Sequence, residues 1–274
     1  MTNFDKIYIF IRDFKLNSKG WILILVVKKV KIVLMVLLTC ISIFSLMALG
    51  NANSAVLTSA NQKRLPVYSV ASTDNKVALT FDAAWGADKT SGILDILDEY
   101  DYKATFFLVG FWIDKHPEMT KEIFERGHLI GNHSNNHLQM SKLSTAEIQT
   151  DLKVCNDKLK NITGEAPAYF RPPFGDYNNN LINQVELLNM QTIQWDVDSH
   201  DWMKKTSGQI SERVLSRATD GSIVLFHNNS DYILEVLPIV ILGLKNKGYE
   251  GVRLDDLVLK EDYYIDVKGV QHKK

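Results

Sequence analysis

The chain of 274 residues has only two cysteines, Cys40 and Cys155. Two thiols exclude a disulfide framework, and Cys40 in an apolar run and Cys155 in a predicted helix both read as packed and unpaired. There is no excess of charge: 31 Lys/Arg stand against 32 Asp/Glu, a net charge of −1. That balance excludes a broad phosphate-binding surface, so nucleic acid is not an expected partner. No internal repeat is visible, and 23% charged and 10% aromatic residues exclude a disordered or low-complexity chain. At roughly 150 residues per domain, the length allows one large domain or two small ones and needs no covalent staples.

Charge is also missing locally. No charged residue lies between Lys31 and Lys63, and Ile32 to Leu49 is apolar except for Thr39, Ser42 and Ser45. Lys28, Lys29 and Lys31 precede this run. About 18 apolar residues behind a basic flank describe a transmembrane helix with its lysines in the cytoplasm, and equally a secretion signal. Either one carries everything that follows across the membrane. Residues 1–50 hold seven Lys/Arg against two Asp, a net of +5, so the remainder carries −6. The near-zero total is thus a basic entry segment joined to a mildly acidic outer domain. The expected layout is a basic segment 1–31, a transmembrane or signal segment 32–50, a polar linker 51–74, one folded domain 75–260 and a tail 261–274.

Within that domain strands and helices alternate. Lys76–Asp82, Ala104–Val109, His128–Asn132, Ala168–Phe170, Gln191–Val197, Ser222–Phe226 and Gly251–Leu254 read as strands. Helical periodicity falls over Thr90–Tyr100, Met119–Arg126, Thr145–Lys160, Asn179–Asn189, Ser207–Arg217 and Ile233–Lys247. Ser144 and Glu147 form a capping-box signature at the third helix. Such alternation marks a parallel α/β layout, an open sheet or a barrel.

Five predicted strands run into residues able to do chemistry: Asp82, Asn132-His133, Arg171, Asp198 with Asp201, and His227. An isolated Asp after a strand is ordinarily a turn former. Five such groups at the C-terminal ends of one sheet, where barrel active sites gather, point to an enzyme. His133 and His137 are spaced to face one way in a helical turn, which suits a tetrahedral divalent metal, with zinc the default for imidazole. Two histidines leave the shell incomplete, as a catalytic metal requires.

TFDAAWG (80–86), HSNNH (133–137), RPPFG (171–175), DSHDW (198–202) and LFH (225–227) stand in the order of the five motifs of the polysaccharide deacetylases, the NodB-homology or carbohydrate esterase family 4 enzymes. The chain resembles that family from about Lys76 to Leu259. The resemblance implies a distorted (β/α) barrel of about seven parallel strands and removal of acetyl groups from peptidoglycan, chitin or xylan. By the same resemblance Asp82 is the catalytic base, Arg171 orients it, and His133 and His137 bind the metal. Phe174 supplies an oxyanion N–H, and Trp202 and Leu225 wall the acetyl methyl group. His227 is the general acid, and Asp201 keeps it charged and oriented.

One departure matters: Ala83 stands where most members carry a second aspartate, the third metal ligand. The implied cofactor is therefore zinc, or cobalt, weakly held, with Asp82, Asp88 or water completing the shell. The TFDxxWG form resembles a subgroup of endospore-forming bacteria tied to cell wall or spore cortex. The expected function is metal-dependent deacetylation of N-acetylglucosamine or N-acetylmuramic acid in cell-wall glycan. Its alternative is a glycan-binding pseudoenzyme. Expected partners are that glycan and, through the N-terminal segment, the membrane; the oligomeric state stays open. Trp85, Trp112 and Trp195 read as core aromatics ahead of sugar platforms, and His116 and His128 receive no role.

Overall fold

The computed structural model describes residues 30–45, 47, 63–71 and 74–274. The chain divides into two units, Met1–Gln62 and Lys63–Lys274. In the first unit, residues 30–45 are helical with their apolar side chains exposed. Thr39 and Ser42 turn their hydroxyls back onto the carbonyls of Val36 and Leu38, which satisfies both polar groups within the helix. Among the described residues no helix is long and apolar enough to cross a membrane. The expected segment 1–31 up to residue 29, the end of the 32–50 span and the 51–62 part of the linker lie outside the described residues.

In the second unit the strands are β1 (Ser69–Val70), β2 (Lys76–Ala83), β3 (Thr105–Leu108), β4 (Leu129–Asn132), β5 (Tyr169–Phe170), β6 (Gln191–Thr192), β7 (Val197–Asp198), β8 (Ile223–His227), β9 (Glu250–Gly251), β10 (Tyr263–Ile265) and β11 (Val270–Lys273). The helices are α1 (Thr90–Glu99), α2 (Gly110–Lys115), α3 (Pro117–Glu125), α4 (Thr145–Thr163), α5 (Asn179–Leu187), α6 (Ser207–Arg217) and α7 (Ile233–Asn246). Seven strands pair in parallel in the order β6-β5-β4-β3-β2-β8-β7, and β9 adds to β2. The expected single strand 191–197 is in fact two, β6 and β7, on opposite edges of this sheet. Only residues 193–196 separate them, a reach of under about 18 Å even fully extended, so the sheet must curl round until its edges nearly meet. The result is a distorted barrel left open at one seam.

β2 shows how sequence sets the layers. Val77, Leu79, Phe81 and Ala83 face outward into the helix layer, where Phe81 stacks between Phe106 and Phe226 at centroid distances of 4.9 and 5.7 Å. Its alternate residues Ala78, Thr80 and Asp82 take the other face, as the period of two requires. Val67, Tyr169, Ile193 and Ile223 join Ala78 in that second cluster. On α4 the capping box is formed: Ser144 accepts the Glu147 N–H and Glu147 accepts the Ser144 N–H.

The expected linker and tail need correction. Lys63 onward belongs to the folded unit, and β1, β11 and β10 form a separate three-stranded sheet. Val67 bridges Ile193 at the seam, while Val70 and Gln271 are buried. Two-residue and four-residue strands carry too few turns of any period to show in the sequence, and so does the six-residue α2, which had no predicted counterpart.

Candidate active site

The strand ends converge as expected. Asp82 is in β2, His133 follows β4, Arg171 follows β5, Asp198 ends β7 and His227 ends β8. They surround a pocket of about 520 Å³, which Asp82, His133, His137, Phe174, Trp202, Leu225 and His227 line directly. Arg171 and Asp201 lie behind it, each bonded to a residue that does.

Two oriented ion pairs organise the site. Arg171 is fully buried; its NH1 donates to Asp82 Oδ1 at 2.8 Å and to Thr80 Oγ1 at 2.8 Å, and its NH2 donates to the Gln194 carbonyl at 3.0 Å. The guanidinium lies 4.2 Å over the Phe107 ring. Burial pushes the Asp82 carboxyl up, yet the Arg171 guanidinium, by its charge and its hydrogen bond, leads the groups that outweigh it, so its pKa falls below the usual carboxylate value and it stays ionised. In the second pair, Asp201 accepts the His227 backbone N–H at 2.8 Å and faces His227 Nδ1 at 2.8 Å. A carboxylate only accepts, so Nδ1 carries a proton. Burial disfavours the imidazolium, but Asp201 more than offsets it and His227 titrates above its ordinary value.

His133 and His137 sit in a loop, which corrects the expected helical turn. Ser134 and His137 have φ of 68° and 53°, left-handed values outside any right-handed helix. Side chains impose this shape: Asn132 Oδ1 accepts the Ser134 N–H, and Ser134 Oγ accepts the His137 N–H. The buried Asp151 of α4 accepts the N–H groups of Asn135 and Asn136. Gly110 of α2 lies so close that a Cβ there would come within 2.9 Å of the Asn135 Cα. The rings nevertheless meet, their centroids 5.2 Å apart.

His133 Nδ1 lies 2.7 Å from the Arg171 carbonyl and must donate to it, leaving a lone pair on Nε2, 3.5 Å from Asp82 Oδ2. Burial holds His133 below its ordinary pKa and takes His137 down to about 4, so both imidazoles are neutral at pH 7. Two neutral imidazoles carry the lone pairs a divalent cation needs, but they supply only two donors. Among the described residues no group of three or more His, Cys, Asp or Glu is assembled to hold one alone. Ala83 is fully buried in the outward core, whereas Ala84 lines the pocket, and Asp88 does not line it.

In the pocket wall, sequence reasoning marks Asp198 only as a strand-end group without a role, reads Trp195 as a core aromatic, and misses Asn229. Asp198 carried a signal as a strand-end residue, but Asn229 carried none. Trp112 is buried, as a core aromatic should be, while Trp85 is 58% exposed, against the core reading. His116 and His128 stay outside the site.

A curled parallel sheet whose C-terminal mouth holds an ionised carboxylate, a charged-pair histidine and two neutral imidazoles defines a barrel protein with a hydrolase-type acid–base site. Residues 69–193 match the family pattern of the polysaccharide deacetylases. A peptidoglycan-N-acetylglucosamine deacetylase of Bacillus cereus is 34% identical over 186 residues, covering 66% of this chain and 68% of that protein. One of the same designation from Listeria monocytogenes is 36% identical over 194 residues, 71% of this chain, although the chain spans only 41% of that relative's length. Among solved structures, a carbohydrate esterase family 4 pseudoenzyme from Bacillus anthracis superposes with a TM-score of 0.69 at 31% identity, covering 76% of this chain and 73% of that one. A mutant of that pseudoenzyme is described as having restored enzymatic activity. The chain belongs to the polysaccharide deacetylase family.

Proposed function

We propose that this protein is a metal-dependent deacetylase that hydrolyses N-acetyl groups of peptidoglycan- or chitin-like glycan, whether on N-acetylglucosamine or N-acetylmuramic acid, and releases acetate. The observation that carries this reading is the pairing of Arg171 with Asp82 and of Asp201 with His227 around one pocket. Glycan binding alone needs neither an ionised base nor an oriented acid.

His133 and His137 would hold a divalent cation, zinc or cobalt, with Asp82 and water completing a weak shell, because neither Ala83, which faces the core, nor Ala84, which lines the pocket, offers a carboxylate. Such a cation supplies Lewis acidity toward water and an amide carbonyl. Asp82 accepts the proton of the attacking water, and Arg171 keeps that carboxylate fixed and ionised. The N–H of Phe174, held at φ 61° in the turn Pro173–Gly175, donates to the developing oxyanion. His227 gives its proton to the leaving amine nitrogen, and Asp201 keeps the imidazolium oriented for that transfer. Trp202 and the buried Leu225 wall the acetyl methyl group.

The apolar run 32–50 and its basic flank support a reading in which this chemistry takes place outside the cytoplasmic membrane, anchored or secreted, at a bacterial cell wall. Folded residues 63–274 form the deacetylase domain. The test is acetate release by the full chain from N-acetylated muropeptides and chitooligosaccharides with zinc or cobalt added. Release that is lost in Asp82→Asn supports the reading, and no release from any glycan overturns it. Ala83, together with the likeness to a pseudoenzyme, favours the rival reading of a glycan binder without turnover; failure to bind zinc at millimolar concentration would decide for it.

A further inference from the structure

We propose that Gln194 is a positioning residue for the hydrolysis: its side-chain amide holds the turn Pro173–Gly175 in the shape that aims the Phe174 N–H at the oxyanion. The proposal rests on the deacetylase reading above, in which that N–H is the donor. Gln194 is 2% exposed and does not line the pocket. It stands in residues 193–196, the short crossing between β6 and β7 at the open seam, outside every motif that the sequence shows.

The turn needs an outside hold. Phe174 and Gly175 are both left-handed, at φ 61° and 66°, and a residue with a side chain keeps that conformation only where its surroundings enforce it. Within the turn, the Gly175 N–H returns to the Pro172 carbonyl at 3.1 Å and the Asp176 N–H to the Pro173 carbonyl at 3.0 Å. Just beyond it, Ser141 donates its N–H and its hydroxyl to the Asp176 carboxylate. Among the described residues, the side chain that bonds to the turn's own backbone is Gln194, whose Nε2 donates to the Gly175 carbonyl at 3.0 Å. The Phe174 ring offers no comparable grip, being 65% exposed.

Gln194 can set this position because its own backbone is fixed at both ends. Its N–H donates to the Val67 carbonyl at 2.7 Å, and its carbonyl accepts Arg171 NH2 at 3.0 Å. The guanidinium that holds Asp82 and the amide that holds the turn therefore meet at one residue, which keeps base and oxyanion donor in register. Packing closes the space around them: a Cβ on Gly175 would come within 3.2 Å of the Trp195 ring and 3.4 Å of Gln194 Oε1. The Arg171 guanidinium lies 5.5 Å over that same Trp195 ring. A misplacement of about 1 Å at a reacting centre can cost about 10²-fold in rate, so a buried amide that never touches substrate still acts on turnover.

The experiment removes the donor and keeps its length. Gln194→Met has a similar reach without an N–H, whereas Gln194→His presents a ring N–H the same number of bonds from the backbone. Both variants keep the backbone bonds to Val67 and Arg171, so the base is untouched. In acetate release by the full chain from muropeptides or chitooligosaccharides, Gln194→Met lowers kcat by about 10–10²-fold, leaves KM within about threefold and leaves both limbs of the pH–rate profile in place. Gln194→His recovers most of the loss, and circular dichroism confirms that both variants are folded. Equal losses in the two variants, or none in Gln194→Met, overturn the proposal. So does a shifted acid limb, which would put the effect on Asp82. If the unmodified chain releases no acetate, the deacetylase reading fails and crystal structures of the two variants decide on the hold. Phe174 leaves positive φ in Gln194→Met and keeps it in Gln194→His; positive φ in both overturns it.

Discussion

The Arg171–Asp82 pair can be taken apart one charge at a time. Arg171→Met removes a guanidinium that is fully buried and leaves Asp82, 7% exposed, without its countercharge. It also removes the donors to Thr80 Oγ1 and the Gln194 carbonyl. Breaking a buried pair from one side costs about 3–5 kcal/mol, because an uncompensated charge stays behind. At a urea slope of about 3 kcal/mol/M, that lowers the unfolding midpoint by about 1–2 M. Without Arg171, burial dominates at Asp82 and its carboxyl titrates above the ordinary carboxylate range. Asp82→Asn has the mirror cost, since Arg171 is then the stranded ion. The double variant strands neither charge, so its destabilisation falls short of the sum of the two singles by about 2 kcal/mol or more. Additivity of the two singles within about 0.5 kcal/mol in urea melts would show that no buried charge coupling exists and would refute the reasoning.

His227→Ala lowers acetate release by about 10²–10⁴-fold, the usual contribution of a positioned acid, and a loss below about threefold would remove that role from His227. Asp201→Asn withdraws the partner that raises the His227 pKa, so the alkaline limb of the pH–rate profile moves to lower pH; a limb that stays in place would count against the pairing. His128 is buried and accepts the Ala104 N–H on Nδ1, and burial takes its pKa down to about 4. The unfolded chain protonates this group near 6.5, so its contribution to stability is complete above that pH and is lost as pH falls toward 4. Between pH 7 and pH 5 the loss is about 2 kcal/mol, and a smaller fall in His128→Gln, read from urea melts at both values, checks it. Gly110→Ala drives a methyl against Asn135 and displaces the His133–His137 loop, weakening zinc binding measured by titration and costing about 1–3 kcal/mol of stability.

Much of this was legible in the sequence because it rests on long periods and on strand-end chemistry. The predicted helix Ser207–Arg217 matches α6, and the other predicted helices differ from the observed ones by a few residues at their ends. Asp82, His133, Arg171, Asp201 and His227 meet where alternation of strand and helix must bring them, at one end of a parallel sheet. The shape of the His133–His137 loop was not legible, because it depends on Asp151 and Gly110, distant in sequence and adjacent only after folding. The split of 191–197 into two strands was hidden for a similar reason. Ile193 and Val197 both look like strand residues, and only closure of the barrel puts them on different edges. Trp85 was misplaced because an indole among buried strand residues looks like core until the backbone turns it outward.

The pairing of β1 with β11 has a mechanical consequence. These are the first and last strands of the folded unit, and they lie parallel, with Ser69 opposite Val270 and Val70 opposite Gln271. Tension applied between the two ends of the unit pulls parallel neighbours in opposite directions, so their hydrogen bonds are strained together in shear rather than peeled open one by one.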